Sequence, residues 1–350
     1  MESHPIDCAP ALPERFEDIE ALEDVLSAPT AQLVEDLGRL DGDVLVLGVG
    51  GKMGPTLARL ARRAAPAKRV VGVARFTDKA LRARLESWGV ETIACDLLDR
   101  AALAALPRLA NVVFMAGRKF GATAAAADTW AMNALVPAAV AEAFAASRIV
   151  AFSTGCVYPY LPAAGGGATE KTAPSPPPGD YAWSCLARER LFEYASRRFA
   201  TAGRLIRLNY AIDMRYGVLH DIARAVFAGA PVDLATGHVN VIWQGDANAQ
   251  ALRALAHCTS PTSPLNVTGP ETVSVRALAH AFAERFGKPP RFAGTESATA
   301  WLSDSTAARR LFGAPRVPLS RMIDWTADWT LRDGASYDKP TRFEVRDGRF

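Results

Sequence analysis

The sequence has little of what marks a metal, disulfide, membrane or nucleic-acid protein. Its five cysteines, Cys8, Cys95, Cys156, Cys185 and Cys258, are odd in number and scattered, with no CxxC pair. That argues against a disulfide framework or zinc ribbon and fits a reducing compartment. The five histidines include no HxH or HxxxH spacing, so no metal site is expected. No apolar run approaches the roughly 20 residues that span a bilayer. The opening MESHPIDCAPALPERFEDIE has neither a basic n-region nor an apolar h-region, which makes the cytoplasm the expected location. A charge excess is missing too: 40 basic residues are dispersed among 37 acidic ones for a net +3, with no stripe to track a phosphate backbone. The expected partner is therefore a small molecule, not nucleic acid or membrane, and the expected assembly is a homodimer.

What remains is ample apolar material, 49% of 350 residues, enough for a large core. Residues 1–42 read as a helical extension, with Phe16, Ile19, Leu22, Val25 and Leu26 at helical spacing and a second helix from Leu33 to Leu40 behind Thr30 as cap. From Val44 onward, short runs rich in β-branched residues alternate with alanine-rich helical stretches. They are VLVLG at 44–48, RVVGVA at 69–74, ETIAC at 91–95, NVVFMA at 111–116, RIVAFS at 148–153 and RLIRL at 204–208. This is the βαβ rhythm of a parallel sheet. Prolines and glycines from Tyr158 to Asp180 exclude regular structure there and suggest a lid or binding loop. Helices at 246–257, 274–286 and 320–331 point to a smaller lobe over 209–331, followed by a polar stretch, 332–350, read as an extended tail.

Directly after the first strand comes GVGGKMG, with Gly48, Gly51 and Gly54 at GxxGxxG spacing, Lys52 and Met53 between them, and a helical run behind. Glycines so placed permit a tight turn, let backbone N–H groups approach a pyrophosphate and bring helix close to strand, while the helix N-terminus favours negative charge. The strand–turn–helix context predicts a Rossmann-type, doubly wound dinucleotide-binding domain over residues 43–208. At the end of the second strand, where an acid usually meets the ribose, the chain has Arg75. A guanidinium there can pair with a 2′-phosphate, which favours NADP over NAD. The alternatives are that Arg75 is a solvated loop residue and that Asp78 reaches the ribose. Asp96 has two readings, as acceptor for the adenine amino group or as cap of the next helix.

Several motifs in order then resemble the extended short-chain dehydrogenases/reductases, the group of NAD-dependent epimerases and dehydratases. They are CDLLD at 95–99, VVFMAGRKFG at 112–121, Asn133, FSTGCVY at 152–158, YAWSCLARE at 181–189, RLNYA at 207–211, GDANA at 245–249, LNVTGPETVSVRALA at 265–279 and SDSTAARRLFG at 303–313. The resemblance implies a cofactor wall that includes Leu97, Ala116, Gly117, Arg118, Asn133, Ser153 and Cys185. It implies a tyrosine, Tyr181, as general acid/base and a hydroxyl, Thr154, that positions the substrate oxygen. It also implies a lysine four residues after the tyrosine, whose charge lowers the phenol's pKa from ~10. That position holds Cys185. Either another cation substitutes, or the phenol works with a less perturbed pKa, or redox chemistry is lost. Lys119, in a loop resembling the lysine-bearing loop of the family's epimerases, is the first candidate, followed by Arg118 and Arg188. Arg188 is otherwise expected in a surface ion pair with Glu189 or Glu193.

In the second lobe the resemblance assigns Asn209, with neighbouring Tyr210, to the substrate. The diphosphate-binding arginine expected before the V-x-D motif is replaced in GHVNVIWQGD, which favours a smaller sugar, sugar acid or polyol. Arg215 could compensate, and Trp243 reads as core with a possible pocket contact. The expected activity is reversible hydride transfer at a secondary alcohol. A non-redox dehydratase or isomerase and a silent dinucleotide-sensing protein are the alternatives.

Overall fold

The computed structural model describes residues 11–348 apart from Phe120 and Thr123; Cys8 lies outside the described residues. Seven strands form the central sheet: β1 (Val44–Leu47), β2 (Val70–Ala74), β3 (Glu91–Ala94), β4 (Asn111–Phe114), β5 (Arg148–Thr154), β6 (Gly203–Leu208) and β7 (Ser263–Val267). Their order is β3-β2-β1-β4-β5-β6-β7, all parallel. Every residue of β1 and β4 is buried, as expected of central parallel strands covered by helices on both faces. Strand order reverses between β1 and β4, and a crevice opens beyond the carboxyl ends of the strands at such a switch point.

Six strands fall within a residue or two of their expected limits. The seventh is not evident in the sequence because Pro264 sits in it; β7 is an edge strand, where a missing N–H can be tolerated. The loop after β5 is more ordered than its composition suggests: Leu161–Pro162 pairs with Thr299–Ala300, and Ala168 bridges to Ser303.

The ends of the chain also depart from expectation. Helix Ile19–Leu26 is capped by Asp18 and helix Ala31–Gly38 by Thr30. The first buries Leu22 and Leu26 in the core of the second lobe, and the second buries Leu33 and Leu37 in the core of the sheet domain. Phe16 packs between Trp243 and Trp325, its ring centre 6.0 Å from one and 4.6 Å from the other. This segment is therefore a clamp across both cores, not an appendage. The stretch after 332 is no free tail: Phe343 is buried in the second lobe, Thr341 bonds Asp221 through its N–H and hydroxyl, and Arg346 donates to Thr299.

Candidate active site

The glycine turn after β1 is shaped by contact. Gly48 has φ +91°, and a Cβ there would lie 2.5 Å from the Ala116 nitrogen behind β4, so only glycine lets the two strand ends approach. A Cβ on Gly54 would meet the Val49 carbonyl oxygen at 2.3 Å, which is the close helix–strand packing expected of the third glycine. Gly51 differs: its nearest neighbour would be 3.7 Å away, because it faces the crevice. Helix Gly54–Ala64 starts with no side-chain cap, so its first N–H groups are left for a ligand.

One cavity of about 300 Å³ runs from this turn along Arg75, Asp78, Asp96, Leu97, Ala116 and Gly117. Arg75 is exposed at its rim. Asp78 caps the next helix, accepting from Ala80 and Leu81. Asp96 is not the cap of its helix; Asp99 is, and Asp96 accepts from the Leu98 N–H at 3.0 Å. A glycine turn with Gly51 facing the crevice, an uncapped helix and a long slot at the switch point together fit an adenine dinucleotide.

A second cavity of about 390 Å³ shares Gly48, Gly51, Met115 and Gly117 with the first and continues along Lys52, Met53, Ser153, Thr154 and Tyr181. Tyr181 stands in the first turn of helix Asp180–Phe199, and its phenol is hydrogen-bonded with Thr154 at the end of β5. Burial pushes the phenol's pKa well above 10, while Arg188 and the Thr154 bond pull it down. Lys119 lies on the same wall, its Nζ 5.9 Å from the Tyr181 ring centre and 3.1 Å from the Thr341 carbonyl oxygen to which it donates. Burial lowers its pKa.

Four expected contacts are placed elsewhere. Cys185 is buried beneath Tyr181 among Val157, Tyr158 and Ala168, and burial raises its thiol to about 11. Asn133 is fully buried in a π-helical turn, its amide spent on the backbone of Arg118, on Ser184 and on Arg188. It holds the loop that lines the cavity without lining it. Arg215 is held by Asp213 and Glu23, 2.7 Å from each, so it is committed within the protein. Trp243 is 1% exposed in the aromatic cluster with Phe16.

Arg188 is the main revision. It is not on the surface but 5% exposed, donating to the Phe152 carbonyl and to Asn133 Oδ1, both at 2.8 Å. Its Nε has no partner, and among the described residues no carboxylate reaches ion-pair distance of it. A Cβ on Gly117 would lie 2.7 Å from its guanidinium. Its neighbour Glu189 turns the other way, pairing with Arg207 at 2.6 Å and accepting from Ser153 Oγ at 2.5 Å, while Arg207 also reaches Tyr158 Oη. Sequence reasoning missed this network; its one signal was an arginine inside the apolar strand RLIRL. Arg118 lies at the surface near Asp128.

The second cavity is also lined by Asn209, Tyr210, Tyr216, Gln244 and Thr341. Asn209 also donates to the Trp301 carbonyl. Of His238, Val239 and Asn240, which stand in GHVNVIWQGD where an arginine was expected, Asn240 bonds Glu271, Thr272 and Ser303 and is structural. Among the described residues no cluster of metal-ligating side chains forms, and no helix is long and apolar enough to cross a membrane.

The profile of the NAD dependent epimerase/dehydratase family matches residues 44–212, which hold both the glycine turn and the Thr154–Tyr181 pair. Over this span the chain is similar to that family. Similar solved structures include UDP-glucuronic acid 4-epimerase from Bacillus cereus in complex with NAD, at 18% identity and TM-score 0.68, covering 83% of this chain and 99% of that one. The UDP-glucose 4-epimerase from Thermus thermophilus in complex with NAD is 22% identical with TM-score 0.66, covering 82% and 98%. The UDP-glucose 4-epimerase from Thermotoga maritima with UDP-glucose is 17% identical with TM-score 0.68, covering 83% and 99%. At these identities the likeness is one of fold. No curated protein matches the sequence significantly. Tyr216, Gln244 and Thr341 lie outside the family match, so part of this cavity's lining comes from residues beyond the matched span.

Proposed function

We propose that this protein is an NAD(P)-dependent epimerase or dehydrogenase of a small sugar, sugar acid or polyol. The observation that carries the reading is one continuous trough whose near end is the Gly48–Gly54 turn and whose far end is the hydrogen-bonded Thr154–Tyr181 pair. The dinucleotide supplies the hydride acceptor and donor. The chain's own groups handle the proton: Tyr181 takes it from, or returns it to, the substrate hydroxyl, and Thr154 orients that oxygen. The backbone of Gly51, Lys52 and Met53 faces the phosphates, and Arg75 at the rim favours the 2′-phosphate of NADP.

The charge that assists the phenol is assigned to Arg188. A guanidinium keeps its charge across the physiological range, whereas burial disfavours the ammonium of Lys119. A buried cation with no carboxylate partner costs several kcal/mol, and its position on the Tyr181 helix, where it pulls the phenol's pKa down, supports an electrostatic task. Commitment of Arg215 to Asp213 and Glu23 supports a substrate without a nucleotide diphosphate. Exposed Leu135, Trp183 and Tyr194 on the helices flanking the site offer a surface for a second copy in a homodimer.

Gly51→Glu tests the trough. It has room to fold, yet sets a carboxylate where the pyrophosphate would lie, so both dinucleotide binding and substrate-dependent cofactor reduction should disappear. Unchanged affinity in calorimetry would remove the assignment.

A further inference from the structure

We propose that the substrate carries an anionic group, a carboxylate or a phosphate, received by Lys119 with Lys52 adding to the field. This rests on the reading above that the cavity is the substrate site. The described residues lining the cavity include two lysines and no carboxylate. Lys52 Nζ stands 3.3 Å from the centre of the Tyr216 ring, a cation–π seat on the substrate side of the glycine turn. Lys119 projects from the loop after β4 toward Thr341, near Tyr181.

The nearby acids do not share this lining. Asp221 and Glu344 line a separate cavity, and one Asp221 oxygen accepts both the N–H and the hydroxyl of Thr341. Desolvation and then Lys119 bring the Lys52 ammonium down to about 7, and burial lowers Lys119 as well. Two like charges in one desolvated cavity oppose each other, and an anion between them relieves both. A cofactor pyrophosphate over the glycine turn can meet Lys52. Lys119, which donates to the Thr341 carbonyl near Tyr181, is the lysine on the substrate side. Thr341 lines the same cavity of about 390 Å³, a size that suits an anion carried on a small molecule.

The test is calorimetry on the full chain saturated with NADP or NAD, using glucuronate, glucose 6-phosphate and methyl glucoside as probes. At least one anion should bind about 10- to 100-fold more tightly than the glucoside, the range for a charge-assisted hydrogen bond. Whichever anion is preferred identifies the charged group. Lys119→Met should bring the anions down to the level of the glucoside, and Lys119→Arg should restore part of the preference. Dinucleotide affinity monitors folding in each variant. Equal or tighter binding of the glucoside, no binding of either anion, or equal weakening of all three probes in Lys119→Met would overturn the proposal. Because binding is read without turnover, anion preference without any hydride transfer would sink the redox reading and leave this one standing.

Discussion

Replacing Arg188 perturbs the electrostatics of the site from beneath, since Arg188 supports Phe152 and Gly117 of the lining without lining the cavity itself. Tyr181 and Arg188 are seven residues apart on one helix, so their charges are separated by about 10 Å along the axis. With an effective dielectric of ~20, a unit charge at that distance is worth about 1.7 kcal/mol, or roughly 1.2 pKa units. The sign is fixed: a cation favours the phenolate, so its loss raises a phenol pKa that burial has already raised. In Arg188→Met the rise of substrate oxidation rate with pH should move upward by about one unit, and below that limb kcat/KM should fall about tenfold. Arg188→Lys keeps the charge and should keep the wild-type profile, even if stability drops. Removing the donor to Phe152 also costs about 1–3 kcal/mol of stability, so a melting curve accompanies each profile. A profile that stays in place in Arg188→Met would refute the argument, since lost packing alone lowers rates without shifting their pH dependence.

Three further outcomes are expected. Phe16→Ala should cost about 3–5 kcal/mol in urea denaturation, because the ring is buried between Trp243 and Trp325; a loss under about 1 kcal/mol would make the N-terminal clamp an appendage after all. Burial raises Asp246 to about 6, against ~3.9 unfolded, so the native state binds the extra proton and stability should fall as pH rises through that window. Asp246→Asn should flatten this slope in denaturation curves taken between those limits, and an unchanged slope would assign it to other groups. Arg75→Ala should weaken NADP more than NAD in equilibrium titration, and equal losses would mean that the guanidinium does not read the phosphate.

The sheet was legible because its central strands are unbroken β-branched runs, and the glycine turn because strand, turn and helix are consecutive. Thr30 as a cap and Tyr181 with Thr154 were legible for the same reason: each is a local pattern or an ordered motif. The remaining contacts depend on partners far apart in the chain. Glu23 and Arg215 are 192 positions apart, and nothing near either one announces the pair. Arg188 lies on the Tyr181 side of an amphipathic helix one turn beyond Cys185, where sequence cannot tell a rim from an interior; Glu189 and Glu193 nearby suggested the wrong partner. The final segment looked like a tail because it is polar. It is held instead by a few specific contacts, from Thr341 to Asp221 and from Arg346 to Thr299.

The central claim is that Tyr181 moves the proton while hydride leaves a substrate carbinol in this cavity. The most direct measurement is transfer of deuterium from carbinol-labelled sugars and sugar acids to bound cofactor, with wild type and Tyr181→Phe compared at equal dinucleotide saturation. The account predicts transfer in the wild type on at least one substrate and a fall of about 10²- to 10⁴-fold in Tyr181→Phe, with cofactor affinity little changed. Equal rates in both proteins, or no transfer on any substrate while the dinucleotide binds tightly, would contradict it and favour a dinucleotide-sensing or non-redox role for the same trough.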